Sequence, residues 1–203
     1  MRIEAIRTLT GPNVYSHGPV LLVRLDLEDL TDKESLEVGG FNERLLSLLP
    51  GLNEHRCSKG RPGGFVERLQ TGTYFAHITE HVALELSEPA GIPAYFGKAR
   101  YAGARGVYNV VVEYKSEEGM RHLLRTAVEL VETLVRGAEF PLEERLGEAR
   151  RVVADYELGP STRSIVDAAE RRGIPWRRVG HDSFIQLGYG KNRRLKIIPA
   201  PRY

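Results

Sequence analysis

The sequence predicts an α+β fold, in which a mixed or antiparallel sheet is covered on one face by helices and a small α/β segment follows at the C-terminus. Two patterns support this fold class. Several stretches before residue 115 alternate apolar and polar residues or are rich in β-branched and aromatic residues, which is typical of strands. Other segments carry apolar residues three and four positions apart, which is the pattern of amphipathic helices.

The strands are predicted from alternation and from β-branched content. In segment 20–27 the apolar side chains alternate with Arg24, Asp26 and the following Glu28. A Gly-Ala-Arg-Gly turn separates the last two strands of the sheet. The four predicted strands are 2–9, 20–27, 94–101 and 107–114.

The helices are predicted from apolar spacing and from glycine or proline at their ends. Segment 120–136 shows the helical spacing most clearly, and Gly72 is expected to mark a break or kink between two helices. Helices within 65–86 and the helix at 120–136 are expected to cover the sheet. The predicted helices are 41–49, 65–69, 73–86, 120–136 and 141–156.

The best candidate for a domain boundary is the segment Leu158-Gly159-Pro160-Ser161. It separates an N-terminal domain, 1–157, from a segment, 158–203, that is too short for a self-sufficient core. Ser161 is expected to cap a helix at the start of this second segment. The segments expected to form a β-hairpin are 184–190 and 194–198.

Composition excludes several classes of protein. The chain has 203 residues, of which 41% are hydrophobic, so it is long enough for one well-packed domain or a domain with an appendage. A net charge of +2 argues against nucleic acid as the main partner. The single cysteine, Cys57, excludes a disulfide framework and a multi-cysteine zinc cage. Charges near the N-terminus and the lack of a long apolar run argue against a signal peptide or membrane span, so we expect a cytoplasmic protein.

The most informative motif is His77-Ile78-Thr79-Glu80-His81, an H-x-x-E-H pattern inside a predicted helix. Residues four apart lie on one helical face with Cβ atoms about 6 Å apart, so both imidazoles can reach one Zn²⁺ ion. Glu80 lies on the adjacent flank, where it can act as a general base, as in the inverted zincin order. The same spacing also occurs in ordinary surface histidine pairs, so the motif alone leaves both interpretations open.

A catalytic zinc ion needs a third protein ligand. Glu113, at the end of a predicted strand, is the first candidate, with an exposed edge position as the alternative. Glu85 lies one turn further along the His77 and His81 face, where it can be a ligand or can orient an imidazole. Glu67 and His55 are weaker candidates.

Other residues have weaker patterns. Cys57 is interpreted as a small buried apolar residue rather than as a nucleophile, and the glycine-rich run at 60–64 as a tight turn rather than an anion site. Basic side chains near the turn between the last two strands can recognise carboxylates or simply face solvent. The predicted substrate-binding residues are Arg68, Lys98, Arg100 and Arg105.

The sequence resembles the N-terminal region of the cyanophycin synthetase family, which builds multi-L-arginyl-poly-L-aspartate. The matching segments occur in order along the whole chain. They are Leu9–Asn13, Val23–Glu28, Glu54–Gly60, Gly63–Arg68, His77–Leu86, Gly106–Tyr108, Val111–Tyr114, Leu158–Thr162, Gly173–Trp176 and Gln186–Gly190.

The resemblance implies that the N-terminal domain binds the polymer and that, in some members, a zinc site matching His77, Glu80 and His81 hydrolyses it to supply primers. It also implies that 158–203 begins an ATP-grasp domain, so the family's ligase sites lie outside this sequence. Two positions depart from the family pattern. Arg61-Pro62 stands where a second cysteine is usual, and Lys98 stands where an arginine is usual, which weakens bidentate carboxylate recognition.

Three functions are therefore weighed. The favoured one is a zinc hydrolase that acts on amide bonds of a cyanophycin-like polymer. The alternative is a non-catalytic domain that tethers polymer for the ligase domains of a full-length synthetase. The third is a structural or oligomerising relic, and a homo-oligomer is left open.

Overall fold

The computed structural model describes residues 1–180 and 183–197. It divides into two compact units, Met1–Ala154 and Asp155–Tyr203. This division falls slightly before the boundary predicted at residue 158. The helices and antiparallel sheets of the two units confirm the α+β fold class.

The first unit is built on an antiparallel sheet with strand order β1-β2-β4-β3. Its strands are β1 (Arg2–Leu9), β2 (Val20–Asp26), β3 (Gly97–Tyr101) and β4 (Val107–Glu113). All three pairings are antiparallel, so the mixed sheet is excluded for this set of strands. Strand β2 lies between two neighbours, and its alternating residues Leu21, Val23 and Leu25 are buried in the core.

The helices of the first unit are α1 (Phe41–Leu48), α2 (Gly64–Thr71), α3 (Phe75–Ser87), α4 (Glu117–Val135) and α5 (Leu142–Asp155). Helix α3 packs against α4 and against strands β3 and β4. The break predicted at Gly72 is confirmed. Its φ of +91° lies in the left-handed region that glycine adopts at little cost, and there the chain turns from α2 into α3.

The connection from α1 to α2 contains two 3₁₀ turns, Pro50–Glu54 and Cys57–Lys59, where the sequence indicated only a loop. The first residue of α2 decides how closely this connection approaches the helix. A Cβ on Gly64 would lie 2.0 Å from the carbonyl oxygen of Arg56, so only glycine permits this contact without a shift. The close approach holds Cys57 beside α2 and α3.

The second unit contains helix α6 (Pro160–Glu170) and strands β5 (Trp176–Arg178), β6 (Phe184–Leu187) and β7 (Arg194–Ile197), in the sheet order β5-β6-β7. Strands β6 and β7 confirm the predicted hairpin; Ile198, which the prediction included, lies outside the described residues. The predicted Ser161 cap is wrong. The N-cap of α6 is Gly159, with no side-chain cap, because Pro160 already occupies the first turn.

Among the helices of residues 1–180 and 183–197, none combines the length and apolar character that crossing a lipid bilayer requires.

Candidate functional site

Helix α3 carries the H-x-x-E-H motif into the interior of the first unit. Its residues Ile78 and Val82 are fully buried in the apolar core. The ionisable residues of the motif lie on the adjacent side of the helix. Glu80 and His81 are only 5% and 4% exposed, and His77 is partly buried. A carboxyl group and two imidazole rings buried this deeply need hydrogen-bonding partners, because burying unpaired polar groups destabilises the folded state.

Cys57 joins the two histidines of the motif. One potential ligand atom from each of Cys57, His77 and His81 lies within 4.8 Å of the other two. The Sγ atom of Cys57 lies 3.2 Å from Nε2 of His77. Cys57 adopts a φ of +51°, which is uncommon outside glycine and indicates that the tertiary structure holds this residue in place.

Neighbouring side chains hold both imidazole rings. The Nδ1 atom of His77 lies 2.9 Å from Oγ1 of Thr73, one turn earlier in the chain. The ring of His81 stacks on Phe65 of α2, with centroids 4.1 Å apart and an interplanar angle of 25°. Its Nδ1 atom lies 2.8 Å from Nδ1 of His55. Because both rings are held, their remaining nitrogens have defined directions.

Burial keeps both histidines of the motif neutral at physiological pH. Desolvation, with a smaller contribution from the positive charge of Arg68, lowers the pKa of His77 to about 4. Desolvation, together with the neighbouring His77 and His55, lowers the pKa of His81 to about 2. Neutral imidazole is the form that binds metal ions, so both rings are ready to act as ligands without losing a proton.

Glu80 shows the opposite shift. Desolvation raises the pKa of its carboxyl group to about 7, while a hydrogen bond from the backbone N–H of Ala99 and the positive charge of Arg100 oppose the rise. Its Oε1 atom lies 4.0 Å from Nε2 of His81. A carboxyl group that titrates near neutral pH can both accept and return a proton, as a general acid or base must.

Strand β3 shapes the space around Glu80. A Cβ on Gly97 would lie 2.8 Å from both Cγ and Oε1 of Glu80. Because Gly97 has no side chain, the carboxyl group of Glu80 can occupy this space.

These groups line a cleft of about 880 Å³ in the first unit. Its wall includes basic residues from α2 and β3, namely Arg68, Lys98 and Arg100. It also includes acidic residues, namely Glu54, Glu80, Glu85 and Glu88. The Nζ atom of Lys98 lies 5.0 Å from the centroid of the Phe96 ring, a cation–π distance. The cleft thus presents both signs of charge around the buried ligand group.

The structure places Glu113, the first candidate for the third ligand, in another role. Its Oε1 atom accepts hydrogen bonds from the backbone N–H groups of Tyr95 and Phe96, the latter at 3.0 Å. The carboxylate thereby ties the loop before β3 to the end of β4, and β3 begins later than predicted. Among the described residues, the group that can hold a metal ion contains Cys57 in its place.

Glu85 orients an imidazole, the second of the two roles predicted for it, but the ring is that of His55 rather than His77 or His81. Its Oε2 atom lies 2.9 Å from Nε2 of His55, so it orients an imidazole that in turn contacts His81. Glu67 pairs with Arg61 at 2.5 Å and is not part of the ligand group.

The predicted substrate-binding residues separate into two places. Arg68, Lys98 and Arg100 line the main cleft. Arg105 does not accompany them, because it forms an ion pair with Asp32 and lines a second cleft of about 540 Å³.

Sequence reasoning missed Cys57 and Thr73 as members of the site. For Cys57 a signal was present: His55 precedes it by two residues, and a lone cysteine near histidines is a potential metal ligand. For Thr73 the only signal was its position four residues before His77, at the start of the helix predicted at 73–86.

The donor set fits a divalent transition metal ion. One thiol sulfur and two neutral imidazole nitrogens match the soft ligands that such ions prefer over oxygen-only sites. Three protein ligands are also the number that a catalytic site provides. This group can therefore hold a metal ion.

Comparison with known proteins places this architecture in a family. Residues 22–136 match the model of the cyanophycin synthase-like N-terminal domain. The chain is 44% identical over 199 residues to a cyanophycin synthetase of Crocosphaera subtropica and 45% identical to one of Trichormus variabilis. These alignments cover 96% of this chain but only 22–23% of the relatives' length. The chain therefore belongs to the family of the cyanophycin synthase-like N-terminal domain.

Proposed function

We propose that the first unit is a zinc-dependent hydrolase that cleaves amide bonds of cyanophycin, multi-L-arginyl-poly-L-aspartate. The observation that carries the proposal is the placement of Glu80, a buried carboxyl group with a pKa of about 7, beside a Cys-His-His ligand group in an open cleft. Family membership adds the substrate, because the relatives are cyanophycin synthetases.

Cys57, His77 and His81 would hold the zinc ion. When bound there, zinc supplies a Lewis acid that polarises the scissile carbonyl and favours ionisation of water. Glu80 takes the proton from the attacking water and delivers it to the leaving amine, for which its pKa near neutrality is suited. The N–H of Ala99 and the space left by Gly97 hold Glu80 in this position.

The charges of the cleft match the proposed substrate. Each repeat of the polymer carries one guanidinium group and one free carboxylate, both from its arginine. Arg68, Lys98 and Arg100 offer cations to the carboxylates. Glu54 and Glu88, which are exposed at the same cleft, offer acceptors to the guanidinium groups.

The second candidate function is non-catalytic tethering of the polymer. It is favoured by the same mixed charges, which bind polymer whether or not the bond is cleaved. In either case we propose that residues from 158 onward begin an ATP-grasp-like domain and that the ligase domains of a longer synthetase are partners. We also propose a cytoplasmic location, where a thiol ligand stays reduced, and a homo-oligomer remains an open prediction.

The decisive experiment compares the wild-type protein with Glu80→Gln and His81→Ala, each incubated with cyanophycin after its zinc content has been measured. We expect stoichiometric zinc and polymer cleavage in the wild type. Glu80→Gln should keep zinc but lose about 10²–10⁴-fold in rate, and His81→Ala should lose zinc. Glu43→Gln, an exposed substitution in α1, is the matched control. Polymer binding without cleavage by zinc-loaded wild type would favour tethering.

A further inference from the structure

We propose that Glu85 and His55 are positioning residues that determine which ring nitrogen of His81 carries the proton, leaving Nε2 of His81 as its metal-binding atom. The inference rests on the proposed function only for its consequence in catalysis. The hydrogen-bonded chain itself is a property of the folded protein.

The hydrogen-bonded series consists of three side chains, Glu85 and His81 of α3 and His55 of the connection before α2. The Oε2 atom of Glu85 lies 2.9 Å from Nε2 of His55. The Nδ1 atom of His55 lies 2.8 Å from Nδ1 of His81. Both separations are hydrogen-bond distances, and both nitrogens of His55 are engaged.

The chemistry of the groups determines the direction of each bond. A carboxylate only accepts hydrogen bonds, so Nε2 of His55 must carry the proton and donate to Glu85. The Nδ1 atom of a neutral His55 is then an acceptor, and Nδ1 of His81 must donate to it. A neutral His81 protonated on Nδ1 carries its lone pair on Nε2, the atom that lies 4.0 Å from Oε1 of Glu80.

Packing holds each member of the chain. The backbone of His55 donates to the carbonyl of Leu52 and accepts from the N–H of Phe65. The ring of Phe65 also stacks on His81.

Glu85 depends on a neighbouring glycine. A Cβ on Gly51 would lie 1.9 Å from Oε1 of Glu85, so Gly51 leaves space for this carboxylate beside the 3₁₀ turn. An ordinary surface glutamate would not need such space.

The consequence is that His81 is prepared for its metal before the metal arrives. A histidine ligand whose other ring nitrogen donates to a fixed acceptor is held in one tautomer and one orientation, which strengthens metal binding. Without Glu85, His55 can adopt either tautomer, and His81 loses this preference. We call the hydrogen-bonded series of Glu85, His55 and His81 the relay. It differs from direct ligation because His55 contacts the metal ligand His81 rather than the metal.

The test uses the full chain with four substitutions: Glu85→Ala, Glu85→Gln, His55→Ala and the control Glu43→Ala. Glu85→Gln preserves shape but lets an amide N–H₂ donate to His55, so it serves as a second variant if truncation perturbs folding. Glu43 is an exposed residue of α1 that lines neither cleft. The readouts are the ¹⁵N resonances of the His81 ring in metal-free protein, and zinc affinity measured by competition with a chelator.

We expect wild-type His81 to be protonated on Nδ1 and the Glu85 and His55 variants to show a mixture of tautomers. Their zinc affinity should fall by about 10–100-fold, while Glu43→Ala matches the wild type. A wild-type His81 protonated on Nε2, or an unchanged tautomer in both Glu85 variants, would overturn the relay. Complete loss of zinc in His55→Ala would also overturn the relay. That result is expected for removal of a ligand, as in His77→Ala, so it would make His55 a ligand.

The tautomer measurement needs neither zinc nor substrate. A protein that shows the expected tautomers but no cleavage of cyanophycin would therefore support the relay and contradict the proposed hydrolase.

Discussion

At the scale of single residues, the site is defined by a contrast in protonation. Burial favours neutral imidazoles at His77 and His81 and a protonated carboxyl group at Glu80 below about pH 7. Desolvation has opposite consequences for bases and acids, since it always disfavours the charged form. In the proposed function, the same burial keeps the candidate metal ligands neutral and lets Glu80 exchange a proton near neutral pH.

The identity of the third ligand is tested by substituting Cys57 and Glu113 separately. Cys57→Ser replaces the thiol of the ligand group. Loss of a residue that only orients a ligand typically lowers metal affinity by about 10–100-fold, and the zinc affinity of Cys57→Ser should fall further than that. Glu113→Gln keeps an oxygen acceptor for the backbone N–H groups of Tyr95 and Phe96 and should bind zinc as the wild type does. Isothermal titration of both variants decides between them, and weaker binding in Glu113→Gln alone would restore Glu113 as the ligand.

The raised pKa of Glu80 predicts how stability changes with pH in the metal-free protein. Between pH 4.5 and about 7 the folded state holds a proton on Glu80 that the unfolded state has lost, so this group's stabilisation disappears as the pH rises. His77 and His81 act in the opposite direction, because the unfolded state binds their protons below pH 6.5 and stability falls as the pH falls.

Glu80→Gln removes only the first contribution. The free energy of unfolding of the wild type minus that of Glu80→Gln should fall by up to about 3 kcal/mol as the pH rises from 4.5 to 7. Urea denaturation in the presence of a chelator measures it at each pH. A difference that is constant across this range would mean that Glu80 titrates at its ordinary pKa.

At the scale of elements, strand β3 and helix α3 jointly form the site. Helix α3 supplies the motif, and β3 supplies the backbone N–H of Ala99 and the narrow space at Gly97 beside Glu80. The end of β4 contributes indirectly, because Glu113 ties down the loop that leads into β3. The position of the Glu80 carboxyl group therefore depends on the backbone of β3 as well as on helix α3.

Gly97→Ala tests this contribution of β3. The added Cβ would overlap Cγ and Oε1 of Glu80 at 2.8 Å and push the carboxyl group from its position. We expect hydrolysis of cyanophycin to slow by about 10–100-fold, because displacements near 1 Å have costs of this size, while zinc content stays at wild-type levels. Gly39→Ala, where a Cβ would meet nothing within 4 Å, is the matched control. An equal rate in Gly97→Ala and Gly39→Ala would remove β3 from the catalytic arrangement.

At the scale of the whole molecule, the core and the candidate site belong to the first unit. The buried apolar cluster extends from Leu21 to Ala149, and the family match covers residues 22–136 within it. The second unit has buried apolar residues of its own, including Val166, Ala169 and Ile185. Its described part is small, and a core of this size is marginal on its own.

A fragment comprising Met1–Ala154 should therefore fold by itself. We expect it to unfold in one cooperative transition and to bind zinc with the stoichiometry of the full chain, since the ligand group and apolar cluster lie within it. Circular dichroism during urea denaturation and metal analysis check this expectation. A fragment that expresses as an uncooperative, partly folded species would show that the second unit is needed for the core.

The sequence by itself determined the elements and the central motif, because both depend on short-range spacing. Alternation marked the strands, apolar spacing marked the helices, and an interval of four residues placed His77 and His81 on one helical face. The resemblance to the cyanophycin synthetase family was likewise readable from the chain and is supported by the family match.

Only the tertiary structure shows which residues lie beside the motif. Cys57 lies 20 residues before His77 in the chain, and His55 lies 26 residues before His81, yet each pair is in contact. Glu113 was the first candidate for a third ligand in the sequence, and in the structure its carboxylate accepts hydrogen bonds from the backbone of Tyr95 and Phe96. The physical reason is that such contacts depend on how the connection before α2 packs against Gly64, which no local periodicity encodes.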